Sequence, residues 1–251
     1  MHIKIYYFKN LRDYMILFFQ FFIGVYIALI RLNNPESFYI DHLYFYAREG
    51  LYLDLSNNLF DVQVMMSVLD LFIILPVVCG KFMNNYNKKC YYVATHYNSF
   101  GKFYINEIIN TAFMCFLYVL LYCVGILTFA LSKSKLSAQS TEFFILFIQS
   151  VINSAVILFT FAALSILLSS INEKISILIT LTAFIALTVL IFILPNELKQ
   201  FNIVSLYFVG EMNLNKQIFT YPIWVYYALL FILNTGLIGL GYFVLRKKDV
   251  L

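Results

Sequence analysis

Long uncharged apolar runs, separated by short polar stretches, set the pattern of this chain. Residues 14–30 lie between Asp13 and Arg31. Residues 62–80 are apolar apart from Asp70 and carry Pro76. Residues 108–131 and 143–168 hold no charge. Residues 176–194 run up to Pro195, and residues 223–245 stop at Arg246-Lys247-Lys248. A helix needs about 20 apolar residues to cross the hydrocarbon of a bilayer. The pattern therefore predicts six transmembrane helices. A transmembrane β-barrel would show shorter segments of alternating polarity, which these continuous runs lack.

Three segments between the runs are neither spans nor simple turns. Residues 2–13 mix Ile3, Tyr6, Tyr7, Phe8 and Leu11 with Lys4, Lys9 and Arg12, as in a helix lying in the membrane interface with its cations near anionic lipid. No small-residue cleavage site follows the first run, where Arg31-Leu32-Asn33-Asn34-Pro35 stand, so the run reads as a retained anchor. Residues 32–61 read as an external segment whose aromatics favour the headgroup zone. Residues 195–222 contain an apolar stretch too short to cross. They predict a dip into the membrane and back, shielded by protein.

Composition agrees with the pattern. The chain has 251 residues, 62% hydrophobic and 12% charged, against nearly half and about a quarter in soluble domains. No linker, repeat or low-complexity tract divides it, so residues 1–251 read as one transmembrane domain. Charge sets the expected orientation, because Lys and Arg collect in cytoplasmic loops. Lys4, Lys9, Arg12, Lys81, Lys88, Lys89, Lys102, Lys174 and the tail Arg246, Lys247, Lys248 fall on one side, opposed by Asp13, Glu107, Glu173 and Asp249. Arg31, Arg48, Lys133, Lys135, Lys199 and Lys216 fall on the other with a larger set of acids. Both termini are expected in the cytoplasm, as an even number of spans requires. The net charge of +4 follows from this topology and gives no reason to expect nucleic acid as a partner.

Catalytic chemistry has no foothold. His2, His42 and His96 stand on different segments, and no metal-ligand spacing, nucleophile elbow, paired intramembrane carboxylates or P-loop occurs. No bound cofactor and no enzymatic activity of the chain itself are expected. Cys79, Cys90, Cys115 and Cys123 read as small apolar fillers with reduced thiols. Polar groups inside the spans are the remaining candidates. Asp70 has three readings: a contact on the path of a cation or cationic peptide, a protonated or hydrogen-bonded packing group, or a residue nearer the surface if its span starts later. Gln149 and Asn153 lie one turn apart, as do Ser150 and Ser154, giving the fourth run a polar face. That face either bonds neighbouring helices or lines a translocation path, with Gln149 and Asn153 as the path residues. Gly236, Gly239 and Gly241 are expected to allow close helix contact.

Two local sequences carry a resemblance. One is Tyr92-Val93-Ala94-Thr95-His96-Tyr97-Asn98-Ser99-Phe100-Gly101-Lys102-Phe103-Tyr104, before the third run. The other is the ending, Gly241 to Leu251. With the interfacial helix, six spans, the long basic loop between spans two and three and the non-spanning apolar segment between five and six, the chain resembles the ABC-2-type permeases, the membrane subunits of ABC exporters. It differs in having His96 and Tyr97 where that family often has Arg, and Lys81-Phe82 where an acid commonly opens the loop. The resemblance implies a coupling helix over 95–103, with Thr95, His96, Tyr97, Asn98, Ser99, Phe100, Lys102 and Phe103 docking a separate ABC ATPase subunit. On a helix, Tyr97, Phe100 and Phe103 would share one side, either as aromatic anchors for that partner or as rings lying in the headgroup zone. ATP would act through that partner, and a second permease subunit would complete the membrane part.

Size and composition are similar to those of small Gram-positive bacteriocin-immunity and toxin-peptide exporter permeases, including phenol-soluble-modulin exporters. That likeness implies an amphipathic peptide or lipid-like cargo and a multi-pass location in the cell membrane. The rival reading is a stand-alone membrane immunity or binding protein that acts without an ATPase.

Overall fold

The computed structural model describes residues 11–32, 40–49, 75–77, 80, 82, 100–134, 140–169, 171–194, 198, 201–204 and 223–249. Among the described residues six helices are complete enough to bound: α1 Leu11–Arg31, α2 Ile40–Glu49, α3 Phe100–Lys133, α4 Ser140–Ser169, α5 Glu173–Ile193 and α6 Ile223–Asp249. Among the described residues three stretches are long and apolar enough to cross a membrane, Phe100–Lys133, Phe143–Ser169 and Trp224–Lys247. Met15–Ile30 and Ile175–Leu190 are shorter apolar helices. The protein is thus a helical membrane protein. Its helices overrun the predicted spans because backbone hydrogen bonds continue through the polar flanks: α3 begins at Phe100 rather than 108. Of the predicted interfacial helix only residues 11–13 are described, and they continue into α1. Most of the second span, Asp70 included, lies outside the described residues.

Contacts fix how the helices run. Asn153 pairs with Tyr227 and Thr160 with Asn234. A seven-residue step along α4 matches a seven-residue step along α6, so these helices are parallel. The two rungs have the heptad spacing of left-handed packing. Phe100 meets Tyr242 at 5.5 Å between ring centroids, and the Tyr104 hydroxyl donates to Ile238 O at 2.9 Å. Here numbering rises on α3 as it falls on α6, so these two are antiparallel. Parallel α4 and α6 require α5 to return along the bundle between them. A tight turn after α4 starts that return: Ile171 N and Asn172 N both donate to Leu168 O, at 2.9 and 3.0 Å.

The α1–α3 contact is the most extensive in the bundle. The inner face of α1 is Leu17, Gln20, Gly24, Ile27 and Ala28, while Phe18, Phe19, Phe22 and Tyr26 remain exposed. Gln20 apart, both faces are apolar, so hydropathy does not select the inner one; close approach at Gly24 does. A methyl group on Gly24 would overlap Tyr122 O and lie 3.2 Å from Ile126 N. One on Gly125 would overlap Phe21 O and lie 3.1 Å from Val25 N. The two glycines bring backbone onto backbone. Of the last-helix glycines expected to do this, only Gly241 meets a neighbour, with its added Cβ 2.6 Å from the Tyr104 hydroxyl. Gly236 and Gly239 face open space.

Of the predicted dip after α5 only residues 198 and 201–204 are among the described residues. Residues 201–204 turn back beside the bundle. Asn202 Nδ2 donates to Leu187 O at 2.6 Å and Asn202 Oδ1 accepts from Val204 N at 3.0 Å. Leu187 precedes the end of α5 by six residues, so the turn sits roughly 9 Å inside that helix end.

Candidate functional site

Helix α4 is the best covered of the three long helices, with 67% of its spanning window buried against 22% for α6. Its buried polar residues are Ser150, Asn153, Ser154, Thr160, Ser165 and Ser169. Two different elements meet this face. From α6, the Tyr227 hydroxyl donates to Asn153 Oδ1, and Asn234 Nδ2 donates to Thr160 Oγ1 at 2.9 Å. From α2 comes Arg48, which donates through Nη2 to Ser150 O at 3.1 Å and to Ser154 Oγ.

Arg48 corrects the sequence reading, which put it among the external charges. It is 2% exposed. The helical register explains why. Ile40, Leu43, Tyr44, Ala47 and Arg48 share one face of α2, and all five are buried. Tyr44 meets Phe143 edge-on and Phe147 at a tilt, with centroids 5.7 and 5.3 Å away. One turn on, Arg48 reaches Ser150 and Ser154. Thus α2 runs alongside α4 in the same direction and carries its cation inward. Ser154 stands roughly 21 Å from one end of α4 and roughly 22 Å from the other, at 1.5 Å per residue. Arg48 is in the last turn of α2, where the helix dipole favours a cation. Residues 40–49 are therefore packed among α1, α3 and α4, whereas an external segment in the headgroup zone was expected.

The other predicted path residues divide. Asn153 belongs to this seam, at 1% exposure, while Gln149 is half-buried. Asp70 lies outside the described residues. The sequence reading missed Tyr227 and Asn234. Their signal was a seven-residue separation on α6 equal to that between Asn153 and Thr160 on α4. Glu107, counted as a loop charge, is also buried, at 3%, with Asn110 and Thr111 beside it on α3.

A second cluster marks the opposite end of α3. Phe82, Phe103, Tyr104, Ile108, Ile166 and Leu245 pack together, with Phe100 and Tyr242 against them. Phe82 meets Tyr104 edge-on at 6.1 Å. Of the predicted docking residues, Thr95, His96, Tyr97, Asn98 and Ser99 lie outside the described residues. Phe100, Lys102 and Phe103 form the first turn of α3 itself. Phe103 is 2% exposed, buried in this chain's own core, and so does not project as an anchor for another subunit. Phe100 is half-buried on Tyr242; Lys102, Arg246 and Lys247 are exposed.

Cys115 and Cys123 are buried within α3 and form no disulfide among the described residues; Cys79 and Cys90 lie outside the described residues. Comparison of the chain with family models, with curated proteins and with solved structures finds no match.

Proposed function

We propose that this chain is the membrane subunit of an ATP-driven exporter of the ABC-2 type, moving an amphipathic or antimicrobial peptide out of a Gram-positive cell. The observation that carries a transport role is the polar seam of α4, with Arg48 at its middle. A guanidinium at that depth in an apolar bundle is costly, and such groups are kept where substrates or ions pass. The exporter assignment leans on the sequence resemblance. Exposed Lys102, Arg246 and Lys247, gathered where α3 begins and α6 ends, agree with a cytoplasmic face there. In this reading both termini are cytoplasmic, six helices cross, two such subunits pair, and two ATPases dock beneath them. ATP binding shifts the pair between states whose affinities for cargo differ, which is how a ligand couples to a conformational change.

The test is association with an ATPase encoded beside this chain. Co-expressed, the two proteins are expected to copurify, and cargo is expected to stimulate hydrolysis. Replacing His96 and Tyr97 with Ala should lower stimulated hydrolysis by about tenfold, roughly 1.4 kcal/mol of coupling. A single Cys at Asn98 should label only from the cytoplasm, and one at Ser137 only from outside. Absence of any ATPase association would favour a stand-alone immunity protein, and reversed labelling would overturn the orientation.

A further inference from the structure

Helix α2 is unlike the helices around it. Four of its ten residues are acidic or basic, Asp41, His42, Arg48 and Glu49, whereas α4 has one such residue in thirty, Glu142. At 1.5 Å per residue α2 is roughly 15 Å long, about half the thickness of the hydrocarbon. It enters beside the start of α4, where Tyr44 meets Phe143 and Phe147, and it ends at the middle, where Arg48 meets Ser150 and Ser154. A segment of this composition and length suits water as well as it suits the bundle, and its way to water runs back along α4 past Phe143.

What α4 offers at its middle is a pair of acceptors. The Ser150 hydroxyl donates to Phe147 O at 3.0 Å. The Ser150 carbonyl receives Arg48 Nη2 at 3.1 Å, and the Ser154 hydroxyl oxygen receives the same nitrogen. Both acceptors are neutral oxygens, and the one carboxylate of α4, Glu142, stands about two turns before Ser150. Such a pair accepts from any cation that carries N–H groups, a guanidinium or an ammonium. The cation that fills it comes from a short side element and not from one of the long helices. Desolvation offsets much of what a buried charge gains from its hydrogen bonds, so α2 is held with modest net strength and a second cation can compete. We propose that α2 is a built-in competitor for a cationic peptide: Arg48 occupies the acceptor site at Ser150 and Ser154, and an arginine or lysine side chain of an amphipathic peptide displaces α2 and takes that place. The inference rests on the transport reading in taking the peptide as cargo, and it adds the sign of the cargo's charge. Until cargo arrives, α2 keeps this part of the polar face of α4 covered.

The test uses the full-length protein in phosphatidylcholine nanodiscs, without any ATPase. Ala47, fully buried on the inner face of α2, is replaced by Cys in a chain whose four native cysteines are changed to Ala. The rate at which Ala47→Cys reacts with a charged maleimide reports undocking of α2. The probes are a synthetic amphipathic helix of leucine and lysine, the same peptide with arginine for lysine, and the same peptide with glutamine for lysine. Both cationic peptides are expected to speed labelling by about tenfold or more, and the glutamine peptide to leave it unchanged. Tyr44→Leu keeps Arg48 but loses the ring contacts to Phe143 and Phe147, so it should tighten binding of the cationic peptides by about three- to tenfold. Arg48→Gln should tighten it as well, and adding Ser154→Ala to that variant should take back about three- to tenfold. If Arg48→Gln does not fold, Tyr44→Leu carries the test, since it leaves the charge in place. Unchanged labelling with the cationic peptides overturns the proposal. So does an equal response to the glutamine peptide, no gain in affinity in Tyr44→Leu, or full affinity in the Arg48→Gln, Ser154→Ala pair. Lack of an ATPase would sink the exporter reading and leave this displacement standing; an ATPase stimulated by cargo while Ala47→Cys stays protected would sink the displacement alone.

Discussion

The α1–α3 seam and the seam along α4 solve one problem in opposite ways. Lipid tails are as apolar as leucine, so helices inside a membrane gain little by hiding apolar surface from their surroundings. They associate either by bringing atoms very close or by hydrogen bonding. At α1–α3, Gly24 and Gly125 remove the side chains that would hold the backbones apart. Along α4, Arg48, Tyr227 and Asn234 reach across from two elements to polar partners. Dispersion falls off steeply with distance, so the first seam tolerates no added volume. Side-chain hydrogen bonds bridge a wider gap and can be exchanged one at a time. The outlier is Gln20, one turn from Gly24. It is 1% exposed, and neither its Oε1 nor its Nε2 has a hydrogen-bond partner among the described residues.

Gly24→Val offers the strongest way to break this contrast. Its branches have nowhere to go but into Tyr122 O, and overpacking of this kind costs about 3 kcal/mol or more. SDS-induced unfolding should show that loss, while Gly236→Ala, which faces open space, should stay within about 1 kcal/mol of wild type. A similar loss in both variants would show that close backbone contact is not what makes Gly24 intolerant of a side chain.

Gln20→Met tests the outlier with the opposite sign. The volumes are similar, and the change removes two buried polar atoms that lack partners. Stability should rise by about 1–2 kcal/mol in the same assay. A fall would mean that Gln20 hydrogen-bonds to something beyond this chain, and would join the α1–α3 seam to function.

The smallest expected effect belongs to the lower rung of α4. Asn234→Leu removes one interhelical bond to Thr160, and such bonds average about 0.6 kcal/mol in membranes. A double-mutant cycle with Thr160→Val measures the pair directly. A coupling well above about 1.7 kcal/mol would place the rung among the chief supports of the bundle, contrary to the division drawn between the seams.

The long helices and the polar face of α4 were legible because each follows from local content: uninterrupted apolarity and four polar residues at helical spacing. The seam's partners were less so. Asn234 is a lone amide and Tyr227 one tyrosine among many, and neither announces a contact in an otherwise apolar helix. Arg48 was misplaced because a charge between apolar runs is ordinarily solvated, although its register with Ile40, Leu43, Tyr44 and Ala47 pointed inward. Phe103 was misread for the reverse reason. Aromatic spacing at the start of a helix looks the same whether the rings face another subunit or, as here, Phe82, Ile166 and Leu245 of the same chain.

What sequence alone determined was therefore the medium. Hydrophobic content and run length require a helical membrane protein, because backbone groups in hydrocarbon must bond within their own helix. Which face of each helix looks inward was decided only by the tertiary structure. Inside lipid the outer face is as apolar as the inner one, so hydropathy carries no preference between them. The choice passed to features with little sequence signal: two glycines that fit each other's backbones, and an arginine carried by a ten-residue helix to the middle of α4.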